Sequence, residues 1–283
     1  MTPGPIGRWP KPPKTPSTDR CPPRPLPCCY RATGRLDLLR AWQAQAREAV
    51  PWRGGKTRIW RLSHHGVDYY AKAFYNGTVR DALRHRLRTA LRIYRDAEAF
   101  QAAGVPVAAP LFAGLGSPRL LPTGCLGLAA VPGPSLAQYL AEAPDPEARR
   151  RAVLAIAEAW GGLTRAGGFH ADPAPRNFIL EAGDPERPRL IDLESLYRVS
   201  YVSPLAQAHR LRKFLLSAAR RTARQGSGYL DPELVPAFID AWRQAAGLDA
   251  EPWQRPLARR TAIEVARYAA EARGACPQGR EPT

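Results

Sequence analysis

The stretch from Gly168 to Leu196, which reads GFHADPAPRNFIL and then RLIDLESL, constrains this chain most. His170, Asp172, Asn177 and Asp192 stand close together within it, framed by the apolar runs Phe178 to Leu180 and Leu190 to Leu193. Both runs are short, turn-bounded and rich in branched side chains, which predicts a buried hairpin that fixes the loops beside it. Phosphoryl transfer needs residues of these types at about these intervals. One carboxylate orients the attacking hydroxyl and accepts its proton, while an amide and a second carboxylate hold magnesium ions on the nucleotide phosphates. Asp172, Asn177 and Asp192 suit those roles in that order. The competing reading is a plain turn, since Asp and Asn are common turn formers and Pro173 and Pro175 sit beside them.

Upstream, Arg53 to Phe74 predicts two strands, Ile59 to Leu62 and Val67 to Phe74, joined by a turn at His64 to Gly66. Lys72 lies in the second strand between Tyr70, Ala71, Ala73 and Phe74, where an ammonium is costly unless it meets a partner or reaches solvent. An edge-strand lysine that snorkels is the alternative. Gly54-Gly55 precedes the first strand and reads as a turn, as most Gly-Gly pairs do. Leu83, Leu87, Ala90, Leu91, Tyr94, Ala97 and Glu98 recur at helical spacing, with Gly104 as a stop. Arg80 to Arg95 supplies six arginines, which suit either carboxylates and phosphates or a solvated face.

The order of these parts resembles the protein-kinase-like superfamily, especially its small bacterial branch, the lipopolysaccharide kinases that phosphorylate Kdo or heptose of the inner core. YNGTVRDALRHRLRTALRIYRDAEAFQAAGVPVAAPL is similar to that family's basic connector, long helix and closing turn. The resemblance implies an α+β, two-lobed protein-kinase-like fold, with a small β-rich N-lobe carrying one long helix and a larger, mainly helical C-lobe. Residues 35–131 would form the N-lobe and 132–275 the C-lobe, with a Pro-rich disordered leader over 1–34 and a tail over 276–283. It also implies ATP and magnesium (Mg2+) as cofactors. Lys72 would hold the α and β phosphates, helped by Gly54 and Gly55, with Glu98 holding the lysine and Asp96 as reserve. Backbone near Ala129 to Val131 would contact adenine. Asp172 would act as the base, His170 would buttress its loop through hydrogen bonds, Asn177 and Asp192 would hold magnesium, and Arg176 would neutralise developing charge.

Beyond the motif, the rest of the chain fits this order. Pro110 to Gly114 and Gly127 to Val131 read as strands leading to a hinge at Pro132-Gly133-Pro134, after which Ser135 caps a short helix. Residues 147–166 carry Ala152, Val153, Ile156, Ala157, Trp160 and Leu163 on one helical face, and Gly167-Gly168 ends that helix. Segments 204–224, 231–246 and 255–273 read as further helices.

The sequence departs from the protein-kinase pattern at Asp192-Leu193-Glu194, where the phenylalanine and glycine of DFG are missing, and no activation segment of the usual length follows. This turns the expectation from protein substrates toward sugars. Pro173 stiffens the loop. Tyr70 shares the lysine's side of its strand, where a ring would crowd adenine and suit a pseudokinase. Three functions therefore remain open: a lipopolysaccharide-sugar kinase, a small-molecule kinase of the aminoglycoside or choline type, and a non-catalytic module that includes nucleic-acid binding.

The formal charge of +17 favours an acidic partner, such as a nucleotide, a phosphorylated or lipid-linked sugar, or an anionic membrane, with nucleic acid the less favoured choice. The five cysteines form no CxxC pair, which argues for a reducing compartment. Without an apolar run of about 18 residues or an apolar signal region, the expected location is cytoplasmic, with peripheral contact at the inner face of the inner membrane.

Overall fold

A computed structural model of the chain describes residues 29–46, 57–74, 88–116, 124–142, 145–225 and 230–274. The smaller lobe is a five-stranded sheet of β1 (Cys29–Gly34), β2 (Thr57–His64), β3 (Val67–Phe74), β4 (Pro110–Gly116) and β5 (Gly124–Ala129). Its order is β1-β4-β5-β3-β2, with the pairings antiparallel. The β2–β3 hairpin turns at His65 and Gly66, both with positive φ, as a tight two-residue turn requires.

Alternation along β3 gives the lobe two faces. Tyr69, Ala71 and Ala73 point to one side, where Leu38, Leu39 and Trp42 of helix α1 (Leu36–Gln45) pack with Trp60 and Phe112. Tyr70, Lys72 and Phe74 take the other side. There Phe74, Leu126 and Leu128 meet helix α2 (Ala90–Ala102) through Ile93, Tyr94, Ala97 and Phe100. The same core continues into the larger lobe, so the face that carries Lys72 looks toward the second half of the chain.

That half contains helices α3 (Leu136–Glu142), α4 (Pro146–Arg165), α5 (Pro204–Gln225), α6 (Leu234–Ala246) and α7 (Gln254–Gly274). Ser135 and Gln138 form a reciprocal cap on α3, and Asp145 caps α4 by accepting from the N–H groups of Glu147 and Ala148. Gly167, at φ +73°, ends α4. A side chain on Gly168 would strike Leu163 Cδ1 at 2.2 Å, so the glycine pair lets the chain turn tightly against its own helix.

Two sequence expectations need correction. Within the leader expected over 1–34, Cys29–Gly34 is a strand paired with β4; residues 1–28 lie outside the described residues. This segment lacks a clear apolar alternation, and its extended form is set by the β4 edge rather than by local preference. The hairpin after the catalytic-type loop pairs β7 (Phe178–Leu180) with β8 (Pro188–Leu190), so Ile191 to Leu193 leave the ladder instead of forming it. That departure frees Asp192 to turn into the site. Gly54, Gly55 and the start of the expected long helix, residues 75–87, lie outside the described residues.

Candidate active site

The catalytic-type loop hangs between short strands. β6 (Gly168–His170) pairs with β9 (Leu196–Arg198), and the 3-10 turn Pro175–Asn177 leads into β7. The Ala171 N–H donates to the Ser195 carbonyl at 2.7 Å, and the Ile191 N–H donates to the Asn177 carbonyl at 3.0 Å. The two loops are thus stitched together by backbone. The Asn177 amide donates to the Asp172 carbonyl at 3.0 Å, which fixes the rotamer and holds the loop closed. Asn177 is thus tied to Asp172 by its side chain and to the residue before Asp192 by its backbone.

Lys72 reaches across from β3. Its ammonium donates to both oxygens of Glu194 at 2.9 Å and to Asp192 at 3.4 Å. Burial alone would push the Lys72 pKa down, but Glu194 and then Asp192 outweigh it and hold the value above that of ordinary lysine. The same burial raises the pKa of Glu194, which also faces the charge of Asp192. For Asp192 burial acts upward too, but Lys72 and the Ser195 hydroxyl hold its carboxyl below its ordinary value. Two carboxylates therefore share one ammonium, and the cluster has room in its charge balance for a divalent cation. The carboxylate of Asp192 and the amide oxygen of Asn177 are hard oxygen donors of the kind magnesium takes.

Glu98 does not hold the lysine. It is exposed on α2 and interacts with Tyr94, while Asp96 pairs with Arg88 at 3.4 Å. The acid that the resemblance placed on the helix is instead supplied by Glu194, two residues after Asp192. The signal was present as the Asp192-x-Glu194 spacing, but helix periodicity offers no way to read it. At the hinge, the Ala129 N–H is spent on the Ala109 carbonyl at 2.8 Å and the Ala130 N–H on the Asp68 carbonyl at 2.9 Å. Ala129 therefore has no N–H to offer a base, which leaves Val131 from the expected pair.

His170 is 1% exposed and packed between Trp160 and Phe178, with ring centroids 5.9 Å from each. Burial lowers its pKa to about 4, so the imidazole is neutral near pH 7. Its Nδ1 has no hydrogen-bond partner among the described residues, so on that side the support it gives the loop comes from packing rather than the expected hydrogen bond.

Asp172 lies in different surroundings. Its carboxylate is half-exposed and accepts from Lys213 Nζ, on α5, at 2.7 Å; Arg176 approaches to 3.7 Å. Sequence reasoning missed Lys213, since nothing in a lysine 41 residues downstream marks its contact with the loop. Among the described residues no group of three His, Cys, Asp or Glu side chains forms a metal cluster, and no helix is long and apolar enough to cross a membrane.

The model of the lipopolysaccharide kinase (Kdo/WaaP) family matches residues 40–225, well over half of the chain. No curated protein matches it. Among solved structures, WaaP in complex with acyl carrier protein is similar, with a TM-score of 0.56 at 20% identity, covering 86% of this chain and 98% of that one. The bifunctional kinase-methyltransferase WbdD has a TM-score of 0.46 at 18% identity, covering 76% of this chain and 50% of that one. The PknI kinase domain of Mycobacterium tuberculosis has a TM-score of 0.44 at 17% identity, covering 75% and 91%. With a family model that matches residues 40–225 and a small β-sheet lobe set against a larger helical one, the chain belongs to the lipopolysaccharide kinase (Kdo/WaaP) family and is a kinase of protein-kinase-like fold.

Proposed function

We propose that this kinase transfers the γ-phosphoryl group of ATP to a hydroxyl of a lipopolysaccharide inner-core sugar, Kdo or heptose. The observation that carries the reading is the meeting of Lys72, Asp192 and Glu194 in one buried cluster, stitched by backbone to the loop that holds Asp172 and Asn177. Lys72 would contact the nucleotide phosphates, and the backbone near Val131 the adenine. Asn177 and Asp192 would hold magnesium, which when bound neutralises the phosphate oxygens. Asp172 would accept a hydrogen bond from the acceptor hydroxyl and aim its oxygen at the γ-phosphorus. As the new P–O bond forms, the bond to the β-phosphate oxygen breaks, ADP leaves, and the hydroxyl proton passes to Asp172.

Lys213 and Arg176 bear on the acceptor. Both sit on Asp172, so a neutral hydroxyl must enter between cations, whereas an acceptor with a neighbouring carboxylate or phosphate can take Lys213 as it delivers its hydroxyl. This favours a core sugar over the cationic substrates of aminoglycoside or choline kinases. Tyr201 and Leu205 are 76% and 79% exposed at the entry to α5, and with the +17 charge they suit peripheral contact with an anionic membrane that carries a lipid-linked acceptor.

The test is incubation of the purified protein with magnesium-ATP and core oligosaccharides ending in Kdo or heptose, read by mass spectrometry. One added phosphoryl group on a core sugar supports the reading. Transfer only to aminoglycosides or choline, or none to any sugar, overturns it.

A further inference from the structure

Arg88 is one of the six arginines that the sequence left between ligand binding and a solvated face, and it does neither. It is buried, 7% exposed, just before the Thr89 cap of α2. Its guanidinium donates through one terminal nitrogen to the Leu193 carbonyl at 3.0 Å, pairs through the other with Asp96 at 3.4 Å, and lies 3.9 Å over the ring of Tyr197. The contacts with Leu193 and Tyr197 join the start of α2 to the turn Leu193–Ser195 and to the strand that follows, while Asp96, on α2 itself, braces the guanidinium from its own helix. Leu193 is the residue between Asp192 and Glu194, so its carbonyl belongs to the backbone that aims both carboxylates at Lys72.

Burying this guanidinium is not an efficient route to stability. Its Nε has no hydrogen-bond partner among the described residues, and an unpaired buried donor costs free energy that an apolar side chain of similar size would not. What the arginine supplies is direction, because a planar fork reaches a carbonyl and a carboxylate at once. The link between α2 and the lysine, expected through Glu98, is absent here. We infer that Arg88 is a positioning residue that replaces that link, clamping α2 to the Leu193 backbone so that Asp192 and Glu194 are held in register for metal-nucleotide binding.

Arg88→Lys keeps the charge and loses the fork, while Arg88→Met keeps only the apolar stem. Titrating each full-length variant with ATP, with and without magnesium, separates positioning from bulk structure. The expected result is a loss of affinity for magnesium-ATP of about 10- to 100-fold, the scale seen when supports of metal ligands are removed, with metal-free ATP binding changed far less. Asp96→Asn leaves the Leu193 contact in place and should lose less than Arg88→Lys. The inference is overturned if both Arg88 variants bind magnesium-ATP as the parent does, or if they lose metal-free and magnesium-bound ATP equally along with melting temperature. Should Arg88→Met fail to fold, Arg88→Lys decides alone. The inference rests on Asp192 serving the metal, so Asp192→Asn is measured beside it. Unchanged magnesium-ATP binding in Asp192→Asn removes both readings, whereas a loss there without one in Arg88→Lys removes only this one.

Discussion

The two carboxylates central to this site live in opposite environments. Asp192 sits in a cluster in which its own side chain is 21% exposed and that of Lys72 11%, while the Asp172 side chain is 46% exposed and held by the exposed side chains of Lys213 and Arg176. The first arrangement is prewired: backbone, the Ser195 hydroxyl and a buried ammonium fix it before any ligand arrives. The second is an exchangeable surface pair, worth little to stability and easily replaced by substrate. The contrast suits a kinase whose nucleotide is constant and whose acceptor is the variable partner. It also predicts that the same kind of substitution will have different consequences in the two halves.

The largest separation is expected at Asp172. Asp172→Asn should lower phosphotransfer by about 10²- to 10⁴-fold while leaving the melting temperature and magnesium-ATP affinity near those of the parent, as calorimetry and steady-state kinetics would show. On the closed side, Lys72→Met strands two part-buried carboxylates, 21% and 22% exposed, and should cost up to about 3 kcal/mol of stability in urea titrations at pH 7, besides abolishing transfer. A Lys72→Met protein as stable as the parent would break the claim that this half is internally balanced.

His170 gives the next largest effect, through pH. Burial holds its folded pKa near 4 against 6.5 for the ordinary side chain, so the unfolded chain takes up the proton first. Its contribution is fully present above pH 6.5 and is lost as the pH falls toward 4, a change of about 3 kcal/mol. Urea midpoints measured across that window should fall, and His170→Phe should flatten the slope. The smallest stability change belongs to Lys213→Gln, under about 1 kcal/mol because the pair is exposed. Its effect should appear instead as a rise of about tenfold in KM for an anionic acceptor, with KM for ATP unchanged.

The sequence was most legible where chemistry and local structure coincide. The lysine in its apolar strand and the amphipathic helix before Gly167 are local patterns, and each takes its expected form; in the 168–196 stretch the hairpin forms from Phe178 as expected but ends at Leu190, short of Leu193. What escaped reading was set by tertiary contact. Glu194 takes the partner role expected of Glu98 because a 3-10 turn, not a helix face, carries it to Lys72. Arg88 looks like any of its basic neighbours until Leu193 and Tyr197 are seen around it. Lys213 belongs to a helix remote in sequence, and β1 extends only because β4 offers an open edge.

Whether Asp172 is the base of a sugar kinase is decided by the rate at which labelled γ-phosphate passes from magnesium-ATP to a lipopolysaccharide core acceptor in the parent protein and in Asp172→Asn. Label is expected on a core sugar with the parent, with a loss of two or more orders of magnitude in the variant and equal nucleotide binding by both. Label transferred at the same rate by the two proteins, or no label on the sugar from a parent that binds magnesium-ATP, would contradict that role.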